Sequence, residues 1–300
     1  MTDSANDDNP VTIPDEAFDW YDDYAHGRMD RRTFMSNLAS LAPLGVSAAA
    51  VSSALLPNYA LAEQVSFNDP DIKASYMTFK SPQGHGEGKG YLVQPTKATE
   101  SKGGVLVVHE NRGLNPYVKD VARRLAKAGF VAFAPDALYP LGGYPGNDDE
   151  GRTMQRSLER NKIEQDFVAA ALTLKKLPST NGKLGAVGFC FGGYIVNYLA
   201  ATLGDQLNAG VPFYGTPASQ ALRANIKAPL LIQLGELDKR VNAYYQEYES
   251  DLKGLKVDYK IHTYKGAKHG FHNDSTARFD KDNADLAWQR TLAFFNKHLS

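Results

Sequence analysis

The sequence predicts a doubly wound α/β fold: a mostly parallel sheet with helices on both faces, preceded by an N-terminal extension. Three observations predict it. Short continuous apolar runs such as GGVLVVHE, FVAFAPD and GKLGAVGF recur along the chain, as strands buried on both faces require. Amphipathic stretches with helical spacing separate them, for example Val118, Val121, Leu125 and Ala128. That alternation indicates crossover connections between parallel strands. No internal repeat or low-complexity linker divides residues 63–300, so this stretch reads as one domain.

Residues 1–62 form the extension. Residues 1–26 are acidic and polar and look poorly suited to a core. Arg31 and Arg32 follow, then a mildly apolar stretch from Leu38 to Leu56 and an Ala-Leu-Ala at 60–62. That order resembles a twin-arginine export signal with a small-x-small cleavage site, which implies a periplasmic protein. The alternative is a helical arm, packed on the body or on a partner subunit of a cytoplasmic protein. Pro43 and Gly45 interrupt the weakly apolar run, which argues against a stable membrane span.

Beyond Glu63, IKASYMTF and GKGYLVQP read as an antiparallel hairpin at one sheet edge, joined by the turn-rich KSPQGHGEG. GGVLVVHE is a buried strand. NPYVKDVARRLAKAG is a helix ending at Gly129. FVAFAPD is the next strand. The region from Asp148 to Leu177 is a long helical stretch broken near Asn161. GKLGAVGF then gives a strand, FGGYIVNYLAATLG a helix, and AGVPFYG and APLLIQLGE two more strands. AYYQEYESDLKGL is a helix, VDYKIHTYKG a strand and ADLAWQRTLAFFNKHL the terminal helix.

Composition narrows the function classes. The 300 residues are 43% hydrophobic and 22% charged, with a formal net charge of -1. No global field favours nucleic acid or an anionic membrane. The single cysteine, Cys190, cannot form an intramolecular disulfide. His269 and His272 are close in sequence, but no further ligand cluster with metal-type spacing accompanies them. No metal and no cofactor is expected.

Cys190 lies in Gly188-Phe189-Cys190-Phe191-Gly192, at a strand end that opens a helix. This is the setting of a nucleophile elbow, where flanking positions must be small. A helix N-terminus beside the sulfur favours thiolate. A buried packing cysteine is the plainer reading, but it has no need of both glycines. A nucleophile also needs a base and an orienting acid. Asp238 follows the strand APLLIQLGE and His269 follows VDYKIHTYKG, in the order nucleophile, acid, histidine that this architecture uses. Glu110 ends GGVLVVHE at the same sheet edge as Cys190. A carboxylate buried there needs a partner, and Arg112 or Arg123 is the structural choice. The backbone N–H groups of Asn111 and Phe191 are the positional oxyanion donors. His109 reads as a core or supporting histidine. The Gly-rich, acidic loop at 141–151 follows a strand and is placed to cover a pocket.

VVHENRGLN, GFCFGG, GELDKRV and KHGFHN, in that order, together resemble the dienelactone hydrolase (carboxymethylenebutenolidase-like) family of α/β-hydrolases across residues 66–300. The resemblance implies a Cys-His-Asp triad of Cys190, His269 and Asp238, with Glu110 controlling thiol ionisation. It implies hydrolysis of a small-molecule ester or lactone through a thioacyl-enzyme, with no nucleic-acid partner. Members acting on dienelactone grip its carboxylate with arginines, one a few residues after the histidine. Here Asn273 stands near that position, with Arg278 further on and Arg152 and Arg156 as other cations; these three arginines are the substrate-binding candidates. Two other readings stay open: a redox- or electrophile-sensing thiol protein, and a non-catalytic binding protein on the same fold.

Overall fold

The computed structural model describes residues 13–44, 47–97 and 102–300. The first twelve residues of the acidic leader, and residues 45–46 of the apolar stretch, lie outside the described residues.

Eight strands form one sheet in the order β1-β2-β4-β3-β5-β6-β7-β8. They are β1 (Ile72–Ser81), β2 (Gly86–Pro95), β3 (Gly104–Val108), β4 (Val131–Pro135), β5 (Leu184–Phe189), β6 (Ala209–Phe213), β7 (Leu230–Gly235) and β8 (Tyr259–Tyr264). The β1–β2 hairpin and the β2–β4 pairing are antiparallel, and the other five pairings are parallel. The parallel strands β3 to β7 are buried residue by residue, which is why they read as unbroken apolar runs.

Helices cover both faces. One core holds Phe167, Leu174, Ile195, Leu199 and Tyr248. These come from α7 (Arg160–Lys175), α8 (Phe191–Leu203) and α11 (Tyr245–Leu255). The opposite core holds Val118, Val121, Leu125, Phe295 and Leu299, from α5 (Pro116–Lys127) and α12 (Lys281–Leu299). The start of α5 follows directly from sequence: Pro116 takes the first turn and the Asn115 side chain accepts the Val118 N–H at 3.2 Å. The remaining helices are α6 (Asp148–Ser157), α9 (Gln220–Arg223) and α10 (Lys239–Asn242). The break between α6 and α7 falls at residues 158–159, slightly before Asn161.

The extension contains α1 (Asp15–Ala25), α2 (Arg31–Ala39), α3 (Ala48–Leu55) and α4 (Tyr59–Ala62). Here the reading of residues 1–26 as unsuited to a core is corrected. Ala17, Tyr21, Tyr24 and Ala25 are buried and share a third cluster with Phe34, Leu38, Val51 and Leu55. Tyr24 stacks on Phe34 at 4.8 Å. Of the acidic residues of α1, Asp15 pairs with Lys268 of the body, and Asp22 with Arg278 and Arg240. Among the described residues, no helix is long and apolar enough to cross a membrane.

Candidate active site

Cys190 sits between β5 and α8 at φ 55°, ψ −110°. Its N–H donates to the Phe213 carbonyl at 3.1 Å, and its carbonyl accepts the Tyr194 N–H at 3.1 Å. The surrounding glycines are set by steric need. A Cβ on Gly188 would meet the Gly192 carbonyl oxygen at 2.2 Å. One on Gly192 would meet the Val108 oxygen at 2.2 Å, and one on Gly193 the Phe213 oxygen at 2.5 Å. The three glycines therefore let α8 approach three strand ends closely enough to hold the turn.

Asp238 follows β7 and caps α10: its Oδ1 accepts the Val241 N–H at 3.2 Å. Its Oδ2 lies 2.5 Å from His269 Nδ1. Both side chains are buried. His269 packs its ring against Tyr214 at 5.0 Å, and its Nε2 is buried without a hydrogen-bond partner among the described residues. The structure thus brings Cys190, Asp238 and His269 together, as the sequence order predicts. Asn111 and Phe191 stand beside them. Phe191 opens α8, so its N–H has no partner within the helix.

Glu110 is 3% exposed and pairs with neither arginine offered by the sequence. Arg112 pairs with Asp148, and Arg123 with Asp120 and Glu63. Glu110 Oε2 instead accepts from Asn273 Nδ2 at 3.0 Å. Asn273, fully buried, is thus a support for Glu110. His109 is a core histidine: it accepts the Ala137 N–H at Nε2 and faces the Glu110 carbonyl through Nδ1. His272 lies 2.7 Å from the Tyr117 hydroxyl and stacks on Phe189.

Sequence reasoning missed the contribution of His26, the residue that caps the C-terminus of α1. His26 Nε2 lies 3.3 Å from Cys190 Sγ. Its Nδ1 lies 2.8 Å from the Asp22 carbonyl oxygen and 3.2 Å from Asp22 Oδ1. The His26 and His269 rings meet edge to face at 4.8 Å. The extension is pinned by the body around this point. Asn111 Nδ2 donates to the Ala25 carbonyl at 2.8 Å. Arg112 donates to the Tyr21 hydroxyl.

The three substrate-binding candidates lie against the extension. Arg152 donates to the Tyr24 carbonyl at 3.0 Å and pairs with Asp149. Arg156 lies over Gly27, where its guanidinium would collide with any Cβ. Arg278 pairs with Asp22 at 3.4 Å and covers the Tyr21 ring. Arg152 and Arg156 also line a cavity of about 300 Å³ with Asn111 and Phe191, and Arg278 lines a cleft that touches His269. The 141–151 loop does not close the site. None of its residues lines the cavity over Cys190, and 148–151 already belong to α6. The extension covers the site instead.

Two spaces adjoin this constellation. A cleft of about 410 Å³ runs between α1 and α10, lined by Asp19, Asp22 and Arg240. It touches His269 but not Cys190. A smaller cavity of about 200 Å³ holds Cys190 with His26, Asn111, His269, Tyr214 and Arg240. The smaller one alone of the two opens on the sulfur.

Electrostatics favour the thiolate. Burial works against charge on Cys190, but the His26 and His269 imidazoles outweigh it and hold the thiol well below its usual range. Burial likewise opposes charge on His269, yet Asp238 and Cys190 push it up to about 10. His26 is raised against its burial by Cys190 and Asp22. Burial raises Glu110, and the neighbouring sulfur adds to the rise. Sγ and one nitrogen from each of the His26 and His269 imidazoles lie within 4.8 Å of one another, as a soft divalent cation would need. The Arg240 guanidinium, 3.3 Å from His26 Nε2, puts positive charge against such a cation.

The comparisons with known proteins agree with this architecture. A profile described as "Dienelactone hydrolase family" matches residues 89–299, and one described as "YqhI-like" matches residues 7–43, within the extension. "Protein usf" of Aquifex pyrophilus is 37% identical over 223 residues, covering 71% of this chain and 94% of the relative. "Putative carboxymethylenebutenolidase" of Aquifex aeolicus is 34% identical over 223 residues, covering 70% and 94%. The crystal structure of a dienelactone hydrolase homologue from Klebsiella pneumoniae superposes with a TM-score of 0.64 at 24% identity. It covers 75% of this chain and all of the other. The matched profile spans β2 to α12 and so encloses Cys190, Asp238 and His269; the chain belongs to the dienelactone hydrolase family of α/β-hydrolases.

Proposed function

We propose that the protein hydrolyses small esters or lactones through a thioacyl intermediate on Cys190. One observation carries the reading: the Asp238–His269 pair and the strained Cys190 converge on a cavity of about 200 Å³ that opens on the sulfur. That volume suits a small acyl group. The substrate carbonyl would lie over Sγ with its oxygen toward the N–H groups of Phe191 and Asn111. Attack forms the C–S bond and moves the carbonyl electron pair onto oxygen, where those dipoles stabilise it. Collapse breaks the ester C–O bond, and an imidazolium protonates the alkoxide. Water then attacks the thioester, giving its proton to His269, which Asp238 orients. The carboxylic acid leaves and the thiolate returns.

The test is a panel of p-nitrophenyl acetate, a neutral lactone and dienelactone, run with the wild type and Cys190→Ala. Turnover should fall at least ~10³-fold in the variant. Ester hydrolysis that survives the substitution unaltered would sink the assignment.

A further inference from the structure

We propose that His26, delivered by α1, is a second catalytic imidazole on Cys190: it holds the thiol's proton in the resting protein and passes it to the leaving alcohol. The inference rests on Cys190 being the nucleophile. Its geometric basis is a repeated unit. Beside the sulfur, Asp238 anchors His269 through Nδ1. Next to it, with the two rings edge to face at 4.8 Å, Asp22 anchors His26 through Nδ1 and leaves Nε2 facing Sγ at 3.3 Å. A nitrogen held by its backbone partner fixes the tautomer of the other. His26 also lines the cavity that holds the sulfur, and Cys190 keeps partial exposure there. The docked extension is thus a wall of the site, and a substrate has room beside it.

The surrounding charges divide the work between the two imidazoles. Asp22 and Cys190 favour the proton on His26, while His269 opposes it. Arg240 reaches the same Nε2 at 3.3 Å; its positive charge opposes a proton there and so favours its release to the alkoxide. Arg278 and Arg28 hold the Asp22 carboxylate, and the Glu110 carboxylate accepts from Asn273 while its charge opposes that of the sulfur. In acylation the thiolate forms the C–S bond, the ester C–O bond breaks, and the alkoxide takes the proton from His26 Nε2. Acylation removes the sulfur charge that helps hold the proton on His269, and that proton moves to the neutral His26. In deacylation the freed His269 takes a proton from water, the hydroxide adds to the thioester, and the C–S bond breaks. The thiolate returns with both imidazoles protonated. The balance is one ester and one water to one acid and one alcohol.

Cys190 is the only cysteine, so alkylation by iodoacetamide reports its thiolate without interference. In His26→Gln the alkylation rate at pH 6 should fall about tenfold. The variant should also lose more activity on an alkyl ester than on p-nitrophenyl acetate, whose leaving group needs no proton. Imidazole added to His26→Gly should restore part of both. A wild-type alkylation profile together with an unchanged ratio between the two esters would overturn the proposal. Should the variants fail to fold, histidine side-chain NMR of the wild type decides. Alkylating Cys190 must shift the His26 resonances and lower its titration midpoint, and unmoved His26 signals would refute the role. Cys190→Ala separates the two readings. Residual full activity there removes the nucleophile itself, whereas a dead Cys190→Ala beside an unaffected His26→Gln removes only His26.

Discussion

Cys190 holds φ 55°, a conformation that costs a non-glycine residue about 1–3 kcal/mol. The glycines around it set how that cost is met. Gly192 packs its Cα against the β3 carbonyls, and an added Cβ would sit 2.2 Å from the Val108 oxygen and 2.8 Å from the His109 oxygen. Backbone atoms cannot swing aside as a flexible side chain can. Gly192→Ala should therefore lower stability by about 2–3 kcal/mol or more, read as an earlier denaturant midpoint, with loss of esterase activity. Glu110 gives a prediction of opposite sign. Its carboxylate is raised first by burial and then by the sulfur, so the two groups oppose each other's charge. Glu110→Gln keeps an acceptor for Asn273 and removes that charge. The thiolate should then persist to lower pH, and alkylation near pH 5 should speed up severalfold. An unchanged alkylation profile would mean that Glu110 is already neutral.

The elements of the body were legible because their burial is local in sequence. Strands β3 to β7 are enclosed on both faces, so each shows as an apolar run without help from its neighbours. The elbow was legible for the same reason: its glycines, its cysteine and the strand before it are contiguous. The extension was not legible as part of the site. Ala17, Tyr21 and Tyr24 do fall at helical spacing, which is the one signal that pointed to a buried face. The acidic residues between them masked it, because their partners Lys268, Arg278 and Arg240 lie more than two hundred positions away. No local pattern announces such pairs. Arg152 tests how firmly α1 is held. It donates to the Tyr24 carbonyl, pairs with Asp149 and covers the Tyr24 ring. Arg152→Ala leaves a carbonyl and a carboxylate short of a donor, at about 1–3 kcal/mol. Amide exchange across 15–25 should quicken in this variant, while exchange in β5 and β6 stays slow.

At the scale of the whole molecule, two terms set stability. The first is acid sensitivity. Burial, with Arg124 adding to it, pushes His272 down to about 3. Below pH 6.5 the unfolded chain binds a proton there that the folded protein refuses until about pH 3. Stability therefore declines as pH falls through that window. His272→Gln removes this proton, so its deficit against the wild type at pH 8 should narrow at pH 4 in chemical denaturation. The second term is the docking of the extension as a unit. A cut after Ala62, which the Arg31–Arg32 and Ala-Leu-Ala pattern suggests, would release α1 to α4 together. Arg112, Arg152 and Arg278 are buried in the intact chain and would lose Tyr21, the Tyr24 carbonyl and Asp22. Asn115 would lose its bond to the Tyr59 hydroxyl. Charged hydrogen bonds contribute about 1.5–3 kcal/mol each, less whatever water restores once the surface opens. A chain beginning at Glu63 should accordingly melt roughly 5–10 °C below the full chain, at about 2–4 °C per kcal/mol for a domain of this size. It should also alkylate Cys190 more slowly at pH 6, because His26 leaves with the extension. Intact mass of the mature protein from its native host shows which form works: a retained Met1 end matches a site completed by α1, and a start at Glu63 matches export with His26 discarded.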